Sequence, residues 1–191
     1  MQGLPEIRIR FPDWIAGFVD FDRVYPDDEA RMRVAVELAR ENVVRATGGP
    51  FGAAVFDTGS GRLAAVGVNL VVPHNNAILH AEIVAFMMAQ TRLGSYSLAS
   101  PGLPPHELYT SCEPCAMCLG AVLWSGVRRV VSAATRDDAH RIDFDEGPVF
   151  AASYDYLRAR GISFRHEVLR EEGRDVLRLY RDSAERIIYN P

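Results

Sequence analysis

Two short clusters hold the side chains of this chain best suited to chemistry: His80-Ala81-Glu82, and Pro114-Cys115-Ala116-Met117-Cys118. One imidazole and two thiolates make a zinc site with its fourth tetrahedral position open, and a carboxylate two residues from the imidazole can move protons beside it. Structural zinc sites close all four positions with protein ligands. Catalytic sites keep one for water, whose pKa the ion lowers towards neutrality. The cysteine cluster carries most of the signal. Shuffling 11 Pro and 3 Cys over 191 positions yields Pro-Cys-x-x-Cys about 0.002 times per chain, whereas His-x-Glu arises about 0.3 times. Taken singly, Cys115 and Cys118 also suit two small buried residues on a helix, and Glu82 suits an acid at a helix start. Neither alternative accounts for the two clusters occurring together.

The flanking residues say how such a site is built. Proline suits the first helical position, so a helix from Pro114 to about Ser125 puts Cys115 in its first turn and Cys118 about 60° round the same face. A polar loop over 73–77 leads into a helix from about 79 to 92, with His80 and Glu82 on its first turn. Two helix N-termini then converge on one ion, where unpaired N–H groups and the helix dipole favour thiolate.

Around them, a helix opens at Pro26-Asp27-Asp28-Glu29, buries Met32, Val36, Ala39 and Val43, and ends at Gly48-Gly49-Pro50. Strands over 51–56 and 63–72 flank a turn at Thr58-Gly59-Ser60-Gly61. Further strands are expected over 108–110, 128–134 and 162–168, with helices over 151–160 and 175–185 and an irregular acidic loop before them. This alternation implies an α/β fold in three α/β/α layers with a mixed central sheet. No repeat or long linker interrupts residues 28–191, which read as one domain preceded by an N-terminal arm, 1–27. Phe11, Trp14, Phe18 and Phe21 make that arm too aromatic for a disordered tail, so it packs on the domain or on a partner subunit.

With 48% hydrophobic and 24% charged residues, the 191-residue chain reads as a single soluble domain. No stretch approaches the ~18 apolar residues of a membrane span, and Met1 to Glu6 lack the features of a signal peptide. Three cysteines make no disulfide framework, so a reducing cytoplasm is the expected location. Cys112 reads as a small packing residue at a strand end. The net charge is −4, and the basic residues are arginines interleaved with acids. Enzymes that act on polyanions concentrate basic residues on one face, so nucleic acid is disfavoured as a partner.

Through His80-Ala81-Glu82-Ile83 and Thr110-Ser111-Cys112-Glu113-Pro114-Cys115-Ala116-Met117-Cys118, the chain resembles the cytidine and deoxycytidylate deaminase superfamily. The Glu-Pro-Cys-x-Met-Cys form followed by Leu119-Gly120-Ala121 is similar to its purine-acting branch. Gly48-Gly49-Pro50-Phe51-Gly52-Ala53 and Phe144-Asp145-Glu146-Gly147-Pro148 resemble segments of bacterial guanine deaminases. The resemblance implies a cytidine deaminase-like fold, with zinc held by His80, Cys115 and Cys118 and Glu82 as the proton shuttle. It further implies that Asn69, late in the second strand, hydrogen-bonds the base, that Phe51 packs on it, and that Glu146 is a second acid for the departing amine. The expected activity is hydrolysis of free guanine to xanthine and ammonia; some relatives also accept amino-triazines such as ammeline. A homodimer is implied too, and in bacterial guanine deaminases the C-terminal segment crosses to close the partner's site. The apolar tail Ile187-Ile188-Tyr189-Asn190-Pro191 suits that role, with Tyr189 against the substrate, and suits equally a last turn on its own subunit. The alternatives are a tRNA adenosine deaminase, a guanosine or cytidine deaminase, and, outside enzymes, a zinc-stabilised binding module. The binding module requires a fourth protein ligand, for which Cys112 is the spare thiol.

Overall fold

The computed structural model describes residue 4 and residues 6–189; Asn190 and Pro191 of the tail and residues 1–3 and 5 of the arm lie outside. Its centre is a five-stranded sheet in the order β2-β1-β3-β4-β5, built from β1 (Gly52–Asp57), β2 (Leu63–Val68), β3 (His106–Cys112), β4 (Arg129–Ala134) and β5 (Ser163–Arg165). β1 pairs antiparallel with β2 and β3, whereas β3, β4 and β5 run parallel, so the sheet is mixed as expected. Side chains alternate faces along a strand, and β1 shows how this makes two cores. Ala54 and Phe56 pack with Met32, Val36 and Val176 on one face, while Ala53 and Val55 pack with Ala85, Leu119 and Val122 on the other. α2 (Asp28–Val44) and α7 (Arg170–Arg181) cover the first face. α3 (Ala81–Leu93), α4 (Ala116–Ser125) and α6 (Ala151–Arg158) cover the second.

The arm contains a short helix, α1 (Ile15–Phe18), and Ile9, Phe11, Trp14, Val19 and Phe21 pack against the first core. The guanidinium of Arg92 also lies 4.1 Å from the ring centre of Phe21. Among the described residues, no helix is long and apolar enough to cross a membrane.

Several boundaries depart from the sequence reading. β2 ends at Val68, not Val72, because the chain turns there: the Leu70 amide bonds to Leu79 and the His74 amide to Leu70. Asn69 therefore follows the strand instead of lying in it. Both metal-motif helices start two residues late, at Ala81 and Ala116, so His80 and Cys115 are N-caps and not first-turn residues. The acidic loop contains α5 (Arg136–His140), where Thr135 and Asp138 form a reciprocal capping box. β5 is only three residues long, since left-handed backbone at Glu167 and Leu169 ends the extended run. α7 spans Arg170–Arg181, five residues earlier than the expected start at 175, and runs through Gly173. A Cβ at Gly173 would stand 2.9 Å from both Ala134 N and Ser111 O, so the helix needs this glycine to approach the sheet.

Candidate active site

The C-terminal end of β3 leads directly into Pro114 and α4, and the N-terminus of α3 stands beside it. A helix N-cap has an extended backbone and a side chain free to accept from the first-turn amides. Cys115 does this with its sulfur, which accepts the Cys118 amide at 3.5 Å. His80 caps α3 with no side-chain cap bond, which leaves its ring to turn outwards; Nδ1 lies 3.5 Å from Cys115 Sγ. Ligand atoms of His80, Cys115 and Cys118 all fall within 4.8 Å of one another. Among the described residues no fourth His, Cys, Asp or Glu joins this group. Cys112 is buried and its thiol donates to the Thr135 carbonyl at 3.4 Å, so it serves packing at the end of β3 as read from sequence. The donor set, one imidazole and two sulfurs without a fourth, fits an open zinc site.

Glu82, in the first turn of α3, is buried and accepts from the Cys118 thiol at 3.3 Å. Glu146 is buried and lines the same cavity, in a loop pinned to α4 by the Ala116 amide donating to its carbonyl at 2.9 Å. On the protein's own groups alone, the Cys115 thiol is held down at about 4, by the hydrogen bond from Cys118 first and by His80 next. Donating that bond pushes Cys118 up. Burial pushes Glu82 up, with the Cys115 charge adding to it. Glu146 is pushed up to about 8, again by burial first and by Cys115 and Glu82 next. A bound cation would draw both thiols to thiolate.

His80, Glu82, Cys115 and Glu146 line a cavity of about 400 Å³ walled by Phe51, Phe144 and Tyr189. Phe144 is the centre of the aromatic wall, its ring 5.1 Å from that of Phe51 and 5.0 Å from that of Tyr189. Within the single chain the tail lies over its own site. The Tyr180 hydroxyl donates to the Ile187 carbonyl at 2.7 Å, and Arg186 donates to the Ile142 carbonyl at 2.9 Å. Asn69 is fully buried and is not itself among the residues that line the cavity. Its Oδ1 accepts the Val71 amide at 3.3 Å while its Nδ2 has no partner, and the Tyr189 hydroxyl is likewise buried without one.

Of the residues named from sequence, His80, Glu82, Cys115, Glu146, Phe51 and Tyr189 line one cavity, while Cys118 and Asn69 are buried outside its lining. The sequence reading passes over Phe144 as a side chain, although the loop from Phe144 to Pro148 stands out as a segment. It quotes Glu113 within the cysteine motif but gives no role to its carboxylate, which accepts the Arg136 amide at 3.1 Å and pairs with His166 Nδ1 at 2.8 Å. That double tether fixes the turn into Pro114. Its partners, Arg136 at the start of α5 and His166 beyond β5, lie far along the chain, so the motif that contains Glu113 does not reveal this tether.

Residues 26–134 match the family model for the cytidine and deoxycytidylate deaminase zinc-binding region. The guanine deaminase of Bacillus subtilis is 38% identical over 143 residues, spanning 75% of this chain and 87% of that protein. The tRNA-specific adenosine deaminase of Haemophilus influenzae is 35% identical over 56% of this chain and 58% of its own. A solved structure described as guanine deaminase from Nitrosomonas europaea superposes with a TM-score of 0.89 at 43% identity, covering 96% of this chain and 100% of that one. The family model spans both halves of the zinc motif, and the superposition extends through the sheet and its two helical layers: the chain belongs to the cytidine and deoxycytidylate deaminase family of zinc-dependent enzymes.

Proposed function

We propose that this chain hydrolyses free guanine to xanthine and ammonia, a step of purine metabolism, through His80, Cys115 and Cys118 as zinc ligands and Glu82 and Glu146 as proton carriers. One observation carries the reading: two buried carboxyls with raised pKa, Glu82 bonded to Cys118 and Glu146, line the same cavity as His80 and Cys115, walled by Phe51, Phe144 and Tyr189. Zinc held there supplies Lewis acidity that makes water a nucleophile near neutral pH. Glu82 takes the proton of the attacking water and returns it to the ring nitrogen. Its buried, proton-retaining environment suits a shuttle that works in both directions. Glu146, its pKa pushed up by burial, donates to the amine that leaves as ammonia, and the hydroxyl proton released as the new carbonyl forms returns to it. Asn69 offers its free amide donor and Tyr189 its free hydroxyl to the base edge, while Phe51 packs on its face.

A free base suits the site better than a strand of RNA, because Tyr189 lies in the cavity with its hydroxyl buried. Relatives named as guanine deaminases support the same choice. In this reading residues 1–27 are an arm on a deaminase domain, 28–191, in a cytoplasmic protein. A second copy of the chain covers the apolar face of α4 and α6, where Trp124 is 79%, Phe150 65% and Tyr156 51% exposed. Light scattering should then give a dimer that Trp124→Glu dissociates, and a wild-type monomer would refute it.

The activity is tested by measuring ammonia from guanine, guanosine, adenine, cytidine, ammeline and a tRNA anticodon stem. Guanine should be the preferred substrate. Release from the tRNA alone would replace this reading with the adenosine deaminase, and release from none by zinc-loaded protein would leave a binding module.

A further inference from the structure

Behind Asn69 runs a chain of hydrogen bonds that begins outside the residues matched by the family model. Trp14 Nε1 in the arm donates to Thr47 Oγ1 at 3.1 Å, and Thr47 Oγ1 donates to Asn42 Oδ1 at 2.7 Å. Asn42, fully buried near the end of α2, spends both amide protons on backbone carbonyls: Gly49 at 2.8 Å and Asn69 at 3.0 Å. The bonding fixes the amide's orientation, since only the NH2 can donate to two carbonyls.

The space around this relay has no slack. A Cβ at Gly48 would stand 2.0 Å from Asn69 O and 2.7 Å from Asn42 Nδ2. One at Gly49 would stand 2.3 Å from the Tyr189 hydroxyl and 3.1 Å from Asn69 Oδ1. The loop at 48–49, the backbone of Asn69 and the ring of Tyr189 therefore meet at van der Waals distance, with Asn42 joining the first two. The arm holds the other side of Asn69 as well, because the Arg10 carbonyl lies 3.0 Å from His74 Nε2 in the turn that follows.

We infer that Trp14, Thr47 and Asn42 are positioning residues that aim Asn69 at the base, so the N-terminal arm sets substrate affinity and leaves the chemical step alone. This rests on the reading of Asn69 as a base-binding residue. The relay touches neither His80, Cys115, Cys118 nor Glu82, and so a fault in it should raise KM without lowering kcat.

The experiment uses the full-length zinc enzyme and guanine. Thr47→Val removes the hydroxyl at nearly constant shape, and Trp14→Phe removes the N–H and keeps an aromatic ring. Each should raise KM about three- to ten-fold with kcat within about two-fold, the scale of one lost hydrogen bond. Thr47→Ser, which keeps the hydroxyl, should restore KM. In an Asn69→Ala background, Thr47→Val should add nothing further. If both relay variants lower Tm but leave KM unchanged, or if Thr47→Val raises KM fully in the Asn69→Ala background, the relay is overturned. An Asn69→Ala variant with normal KM would instead remove the base-binding reading on which the relay depends.

Discussion

Two pairs of carboxylates, all buried except the half-buried Asp28, sit at opposite ends of β3, and they are treated in opposite ways. At the N-terminal end, Asp28 and Glu107 are surrounded by arginines. Arg129 makes two bonds to Asp28, at 2.7 and 2.6 Å, and one to Glu107 at 3.0 Å, with Arg165 and Arg31 completing the cluster. The Arg129 guanidinium and the Tyr109 hydroxyl hold Asp28 well below the usual carboxylate range. At the C-terminal end, Glu82 and Glu146 have no arginine bonded to them, and burial drives both upwards. A buried acid with a cation is a structural tie. One without a cation retains a proton that it can give away.

The contrast breaks first at Glu82. Glu82→Gln should keep about one zinc per chain yet lose kcat by about a thousand-fold, or about 4 kcal/mol of transition-state stabilisation. Metal analysis beside an ammonia assay checks both halves, and near-normal turnover would return Glu82 to a helix-start acid. Glu146→Gln should cost about a hundred-fold, with KM changed less than kcat. An unchanged rate would make it a loop residue. The other end of β3 should respond in the reverse sense: Arg129→Met should cost about 2–3 kcal/mol of stability, allowing for its partial exposure, with kcat within about two-fold. Urea unfolding and steady-state kinetics on the same preparation would show this, and a loss of activity without a loss of stability would erase the distinction.

The smallest effect is a tilt in the pH dependence of stability. Glu146 has a folded pKa of about 8 against an ordinary value of 4.5. The native state thus binds more protons between those values, and this group's contribution, full below about 4.5, is lost as pH rises to 8. Asp28, with its pKa lowered, contributes above about 3.8 and loses that contribution in acid. Unfolding of zinc-stripped protein from pH 5 to 9 should show a decline that Glu146→Gln flattens. A parallel decline in both proteins would contradict the assignment.

How much of this was legible in the sequence follows from how each part is built. The zinc ligands and Glu82 stand out because two helix N-termini present them, and a helix terminus packs several functional groups into a few consecutive residues. The same arrangement misleads on boundaries. Sequence rules put Pro114 at the first helical position, whereas Cys115 caps the helix, so the metal ligand and the capping group are one atom. Tertiary hydrogen bonds also override local pattern after Val68, where the apolar run Leu70-Val71-Val72 turns away from the sheet. The residues proposed for base recognition are spread over the turn after β2 at Asn69, the loop around Phe144 and the tail at Tyr189. Phe144 and Asn42 carry no signal of their own, since Phe144 takes its place from the rings of Phe51 and Tyr189 and Asn42 from a bond to the Asn69 carbonyl, all distant in the chain. Resemblance to known deaminases located Asn69, Phe51 and Glu146; spacing alone did not.

The central claim, an open zinc site that does chemistry, is tested most directly by X-ray absorption at the zinc edge of the purified protein. Two sulfurs at about 2.3 Å, one imidazole nitrogen and one further light atom are expected. A third sulfur, which only Cys112 could supply, would close the site and contradict the enzymatic reading.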